Sequence, residues 1–243
     1  MQKYFISKEE MLNKRITSDD VNHIKNVMRG KIGDTFIVSD MENEFKVAIA
    51  SLDKKSVDFE ILEEITNSNE FPFLVDIYQG YPKGDKIEDI IKHSTELGAK
   101  SINPTFMKRS IVKLDEQRRK NKQERFSKIA KEAAEQSFRK IIPNVEILDL
   151  KKIDFSNYDI KIVCYEESAK ENELSNFKKL VKNINNDSKI AVLIGPEGGL
   201  DSSEIEYLLD LGFTPCGLGP RILRTETAAM YVLSAISYET ELK

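Results

Sequence analysis

The sequence predicts an α/β protein built on a parallel sheet covered on both faces, preceded by a small β-rich unit over residues 1–70. Three observations predict it. From Phe71 onward, runs of apolar residues alternate with amphipathic helical patterns, as expected when strands are buried on both faces. Residues 1–70 carry short runs of partial alternation separated by turn residues. In the last third, two glycine-bearing loops each follow an apolar run and precede a helix.

In the N-terminal part, Phe36-Ile37-Val38, Phe45–Ile49 and Val57–Ile61 read as strands, with turns at Gly30, Gly33-Asp34 and Asp53. A helix is expected over Ser18–Met28, capped by Ser18 or Asp19. The strand spacing suggests a small barrel, and the polar stretch Thr66–Glu70 reads as a linker. The second domain then spans 71–243. Phe73–Tyr78 is a strand. Asp85–Leu97 is a helix with Ile87, Ile90, Ile91 and Leu97 on one side and Gly98 as its stop. Ser101–Phe106 is a strand, and Asp115–Phe138 a long basic helix. Val145–Leu148 and Asp159–Tyr165 are strands, and Glu173–Ile184 is a helix. Ile190–Ile194 is uninterruptedly apolar and reads as a buried strand. Asp201 caps the next helix, with Glu204 three residues on as capping-box partner. Phe213–Leu218 is a strand and Thr225–Thr240 the final helix.

With 40% apolar and 32% charged residues, the 243-residue chain has enough apolar side chains for a real core. No apolar run approaches the length of a membrane span, and Met1–Phe5 does not open a signal peptide, so no membrane partner and a cytoplasmic location are expected. Two cysteines, Cys164 and Cys216, and two histidines, His23 and His93, make neither a disulfide framework nor a metal cluster, and no metal is expected. The net charge of −4 hides an asymmetry: residues 108–140 hold 12 Lys or Arg against 5 Asp or Glu. Such a segment fits an anionic partner such as nucleic acid, or a solvated helix face.

Ile194-Gly195-Pro196-Glu197-Gly198-Gly199 lies between a buried strand and a capped helix, where open α/β sheets bind ligands. Its spacing is neither G-x-G-x-x-G nor a P-loop, which disfavours a nicotinamide-dependent oxidoreductase. Leu218-Gly219-Pro220 is placed in the same way. Arg221 and Arg224 follow just before Thr225-Glu226-Thr227 opens a helix, an electropositive corner suited to an anion or a polarised carbonyl. Glu226 there has a second reading as a helix cap, and both arginines have one as structural ion pairs.

Gly195–Gly199 followed by Leu218-Gly-Pro-Arg-Ile-Leu-Arg-Thr-Glu-Thr-Ala228 closely resembles the RsmE family of SPOUT methyltransferases. His23–Arg29 with Gly33-Asp34, Thr95–Gly98 and Glu132–Arg139 resemble the family's other signatures, so the likeness covers nearly the whole chain. The resemblance implies S-adenosylmethionine as cofactor and methylation of N3 of a uridine in the 16S ribosomal RNA of the small subunit. It also implies a SPOUT domain with a C-terminal trefoil knot, a PUA-like RNA-binding barrel at the N-terminus, and a homodimer. Carried over, the cofactor would be held by Tyr165, Ile194, Gly195, Pro196, Glu197, Gly198, Gly199, Leu218, Gly219, Arg221, Ile222, Leu223, Arg224, Glu226, Thr227 and Ala228, with Glu166 beside them.

Methylation at N3 requires loss of the imide proton, and negative charge then spreads onto the uracil carbonyls. A fixed cationic donor suits that charge. Arg139 or Arg221 is expected to provide it, with Arg224 tied to the knot. Glu135 and Glu197 are candidates for the general base, each also readable as a structural brace. Lys108, Arg109, Arg118, Arg119 and Arg125 are the expected phosphate contacts. Many members of the family bear an arginine in the first strand, and this chain has Lys3-Tyr4-Phe5 there, so RNA contact is expected through Lys3, which keeps the charge but loses the bidentate fork. His23 is expected to pack or cap, and His93 to have no catalytic part. Two other readings stay open: a ribose 2′-O-methyltransferase of the same superfamily, and a non-catalytic RNA-binding or ribosome-assembly protein.

Overall fold

Met1–Glu70 and Ala134–Ile142 fold as one unit, and Phe71–Ala133 with Pro143–Lys243 as another, in a computed structural model that describes residues 1–167 and 175–242. Chain order assigns Ala134–Ile142 to the second domain. They join the first because Glu70 accepts from the backbone N–H groups of Lys140 (2.8 Å) and Ile141 (3.3 Å), and Ser39 Oγ donates to Lys140 O (3.2 Å).

In the first unit, β1 (Lys3–Phe5) runs parallel to β3 (Thr35–Ser39), and β3, β4 (Glu44–Leu52), β5 (Val57–Glu64) and β2 (Arg15–Ile16) continue antiparallel, in the order β1-β3-β4-β5-β2. Period-two alternation turns Val47 and Ile49 of β4 and Val57 and Phe59 of β5 inward, with Ile49 in register with Phe59, and these join Tyr4, Ile16, Ile24, Phe36 and Val38 in one core. Helix α1 (Lys8–Asn13) was not foreseen. Its Ser7–Glu10 capping box is complete, and Glu10 also accepts from the N–H groups of Thr17 and Ser18. The helix expected over Ser18–Met28 is a short turn, α2 (Asp20–Asn22), followed by a π-helical turn over His23–Val27. Neither Ser18 nor Asp19 caps it through its side chain as N-cap. His23 Nδ1 lies 2.9 Å from the Tyr4 hydroxyl, a packing role.

The second unit is a seven-stranded parallel sheet with β12 (Thr214–Cys216), β10 (Ile160–Cys164), β11 (Lys189–Ile194), β6 (Leu74–Gly80), β7 (Ser101–Phe106) and β8 (Asn144–Val145) in that order, and β9 (Leu148–Asp149) also on β7. Ile190–Ile194 is buried throughout, which is why it carries no alternation. Helix α3 (Lys86–Glu96) packs its Ile87, Ile90 and Ile91 face inward and meets α7 (Thr225–Glu241). Helix α4 (Glu116–Gln136) belongs to this unit through Ala133. The strand expected over Val145–Leu148 splits into β8 and β9, because α4 takes the backbone between them: Gln123 donates to Val145 O and accepts from Ile147 N, and Arg119 donates to Ile147 O. Helices α5 (Asn176–Lys182) and α6 (Ser202–Asp210) complete the unit; Glu173 and Leu174, expected to open α5, lie outside the described residues.

Candidate active site

Three parallel strands stop level with one another. Cys164 of β10 is in register with Ile194 of β11 on one side and Cys216 of β12 on the other. The loops that leave these ends wall a cleft of about 770 Å³, within the range of small-molecule sites and at the carboxyl edge of the sheet where such sites form.

The backbone of the two loops is shaped for close approach. Gly199 (φ +70°) and Gly219 (φ +112°) occupy the left-handed region, and a Cβ at Gly219 would meet nothing within 4 Å, so space stands open beside that bond. Among the described residues, no hydrogen bond reaches the backbone of 218–223. Native backbone groups that lack partners inside the fold are ordinarily met by solvent or ligand. A set of uncommitted N–H and C=O groups, beside the apolar walls of Ile194, Leu200 and Ala228, fits a nucleoside-like ligand held through its edges rather than through a metal.

Four anchors hold these loops. Thr225 Oγ1 donates to Gly195 O (2.6 Å) and accepts from Gln79 Nε2 (2.7 Å), tying the last helix to the first loop and to β6. Arg109 lies under the glycines, with Nη1 donating to Gly198 O (2.9 Å). Asp201 caps α6 and pairs with Lys108 Nζ (3.1 Å), while Glu204 accepts from Lys108 N (2.7 Å). Glu197 accepts from Lys83 N (3.1 Å) and Lys86 Nζ (3.0 Å). Burial pushes the Glu197 carboxyl up, but the bonds from Lys86 and the backbone outweigh it and hold it below the usual carboxylate range.

Tyr165, Glu166, residues 194–199, Leu218, Gly219, residues 221–224, Glu226 and Ala228 all line the cleft. Thr227 does not. It is exposed, its N–H donates to Arg224 O (3.0 Å), and Thr225, two residues earlier and so on roughly the opposite side of the helix, faces the cleft instead. Sequence reasoning missed Lys86, Leu200, Thr225 and the two cysteines that end β10 and β12. The strand-end positions of Cys164 and Cys216 were the available signal. Lys86, over a hundred residues away from the loops in sequence, gave none.

Arg139 is not a free cationic donor. It is 4% exposed and its guanidinium donates to Glu70 within the first unit, where burial would leave an unpaired charge too costly. Glu135 accepts from Phe5 N (3.1 Å) in the same unit, a brace on β1. Lys3 is 2% exposed and its Nζ meets Glu44 at 2.8 Å, so it offers no charge to a phosphate. Among the basic residues of the second unit, Arg119 pairs with Asp149 (3.4 Å) and covers the Phe106 ring, Arg125 pairs with Glu88 (2.6 Å), and Lys108 and Arg109 hold the site as described. Arg118 is the most open of the five, 73% exposed with Asp115 at 3.4 Å. Among the described residues there is no group of three or more His, Cys, Asp or Glu placed to hold a metal, and no helix long and apolar enough to cross a membrane.

A parallel α/β sheet with a glycine-walled cleft at its carboxyl edge is the architecture of a nucleotide- or cofactor-binding protein. Residues 69–237 match the family described as RNA methyltransferase domain, and residues 16–62 the RNA methyltransferase PUA domain. The chain is 44% identical to the ribosomal RNA small subunit methyltransferase E of Bacillus subtilis, over 100% of this chain and 98% of that protein. Its fold is similar to a putative methyltransferase of Legionella pneumophila in complex with the cofactor SAM (TM-score 0.84, 26% identity, 97% and 96% of the two chains). It is likewise similar to a ribosomal RNA small subunit methyltransferase E from Neisseria gonorrhoeae bound to S-adenosyl methionine (0.82, 26%, 98% and 97%). The chain belongs to the ribosomal RNA small subunit methyltransferase E (RsmE) family of RNA methyltransferases.

Proposed function

We propose that this protein transfers a methyl group from S-adenosylmethionine to N3 of a uridine in the 16S ribosomal RNA of the small subunit. The observation that carries the reading is the cleft beyond β10, β11 and β12, with uncommitted backbone over 218–223 and Gly195 fixed by Thr225. The backbone of Ile194, Gly195, Leu218, Ile222 and Leu223 would hold the cofactor's adenosine, with Tyr165 and Ala228 as walls. When bound, the cofactor supplies the electrophilic methyl carbon.

The chain's own task is to position the base and manage its proton. Arg221 is exposed at the cleft and takes the role of donor to a uracil carbonyl as negative charge develops. Glu197 is a poor base, because its bonds to Lys83 and Lys86 favour the ionised form. Glu135 is committed to Phe5 N. In this reading neither carboxylate takes the imide proton, which passes to solvent while Arg221 stabilises the uracil anion.

Further elements of the reading rest on the family. A trefoil knot in the last third is supported by the RNA methyltransferase family match over residues 69–237. A homodimer is supported by the exposed Tyr231, Tyr238 and Leu242 of the C-terminal segment. The reading implies a cytoplasmic location and assigns RNA contacts to the PUA-like unit and to Arg118, whose exposure supports it. The test is in vitro methylation of 16S RNA and of small subunits with labelled cofactor, followed by nucleoside mass spectrometry. N3-methyluridine is expected; 2′-O-methyluridine, or no incorporation, would overturn the reading.

A further inference from the structure

Glu226 carries a carboxylate with no hydrogen bond on either oxygen among the described residues, and its Oε2 is closed to solvent. A carboxylate so placed leaves a strong acceptor unpaired, which folded proteins ordinarily complete with a protein, solvent or ligand donor. The nearest cation is Lys86, whose Nζ stands 3.8 Å from Oε2, outside hydrogen-bond range, and is held by Glu197 Oε1 at 3.0 Å. Both Glu226 and Lys86 line the cleft, and neither is shut off from it: their side chains are 19% and 40% exposed. The cleft edge thus presents an acceptor that lacks a donor beside an ammonium with donors to spare.

We propose that Glu226 and Lys86 recognise the zwitterionic amino-acid end of the cofactor, the carboxylate of Glu226 accepting from its ammonium and Lys86 pairing with its carboxylate. The inference rests on the cofactor reading above. What is missing at Glu226 is a hydrogen-bond donor and not merely a positive charge. An ammonium supplies N–H groups, and a sulfonium supplies none. The bond from Glu197 keeps Lys86 protonated, since it raises the ammonium's pKa above the usual lysine value. Side-by-side groups of opposite sign match a zwitterion, which presents the complementary pair on one carbon.

Calorimetry on the full chain with three probes tests this: S-adenosylmethionine, S-adenosylhomocysteine, and 5′-methylthioadenosine, which lacks the amino-acid end. Glu226→Gln should weaken binding of the first two by about tenfold or more, the scale of a lost charge-assisted hydrogen bond, and leave the third within twofold. Lys86→Met should weaken the first two more than the third, any loss common to all three reporting its bond to Glu197. Thermal melting of each variant checks that it folds. Equal losses for all three probes would make the pair structural and overturn the proposal, as would unchanged affinities. A loss for S-adenosylmethionine alone would assign Glu226 to the sulfonium and overturn it too. Wild-type protein that binds none of the probes would instead sink the cofactor reading on which the proposal stands.

Discussion

Arg139 donates to the carboxylate of Glu70 inside the first unit, and the same carboxylate accepts the N–H groups of Lys140 and Ile141. The arginine is 4% exposed and the glutamate's side chain 16%. Breaking a buried pair by removing one partner costs about 3–5 kcal/mol. The two truncations are unequal, however. Arg139→Ala leaves Glu70 two backbone donors, whereas Glu70→Ala removes an acceptor from the guanidinium and from two N–H groups at once. Urea denaturation should therefore show Glu70→Ala as the more destabilising, with the double variant less than additive. Turnover per folded molecule should survive Arg139→Ala. A variant that is fully stable but inactive would return Arg139 to the chemistry.

The basic segment divides by partner. Arg118 is 73% exposed, while Arg119 is 34% exposed and spends its donors on Ile147 O and Asp149. Each phosphate contact contributes about one unit to the slope of log affinity against log salt. In ribosomal RNA binding, Arg118→Ala should lower that slope by about one. Arg119→Ala should lower the melting temperature and leave the slope alone, and Lys3→Met should leave the slope alone as well. A slope change with Lys3→Met would mean that β1 opens to reach RNA.

The contrast between these residues shows what a sequence carries. Ile190–Ile194 announced a strand buried on both faces, and Asp201 with Glu204 announced a capped helix, because burial and capping are written within a few residues. Ser7 and Glu10 wrote a capping box just as plainly, but it lies among residues read for strands, and α1 was missed. The glycine loops were legible as a ligand site for the same local reason. The Lys3–Glu44 pair joins residues 41 apart, and the Gln79–Thr225 bond joins residues 146 apart. No periodicity records such pairings, so a buried lysine read as a surface one, and the threonine that faces the cleft was passed over for its neighbour.

Asp201 makes the site's edge sensitive to acid. The Ser203 hydroxyl, and after it Lys108, hold its carboxyl down at about 2. A carboxylate lowered on folding contributes stability above its unfolded pKa, near the ordinary 3.8, and the contribution is lost as pH falls through about 2. Asp58, held at about 2 by Arg15 in the first unit, titrates in the same window, so the variant must be compared with wild type. In denaturation curves between pH 5 and about 2, Asp201→Asn should be less stable than wild type at the upper end, and the gap should close toward the lower. A gap that widens on acidification would show that Asp201 does not titrate as a paired carboxylate.

Gly80 ends β6 directly beneath the first loop. A Cβ there would stand 2.4 Å from Pro196 N, 2.5 Å from its Cδ and 2.7 Å from Gly195 C, all closer than real Cβ contacts. These neighbours are backbone and ring, so no rotamer change relieves the clash. The loop must move, and Gly195 O is itself the acceptor of Thr225. Gly80→Ala should therefore displace the loop, cost on the order of 1–3 kcal/mol as overpacking does, and weaken S-adenosylmethionine binding by about tenfold. Gly84→Ala is the control. It too changes a glycine, at φ +64° with nothing within 4 Å of its Cβ, so it should cost about 1 kcal/mol of backbone strain and leave the affinity unchanged. Both variants add one methyl group, but only the one at Gly80 meets the Gly195–Pro196 turn. Wild-type affinity in Gly80→Ala would mean that the Gly195–Pro196 turn does not shape the cofactor site.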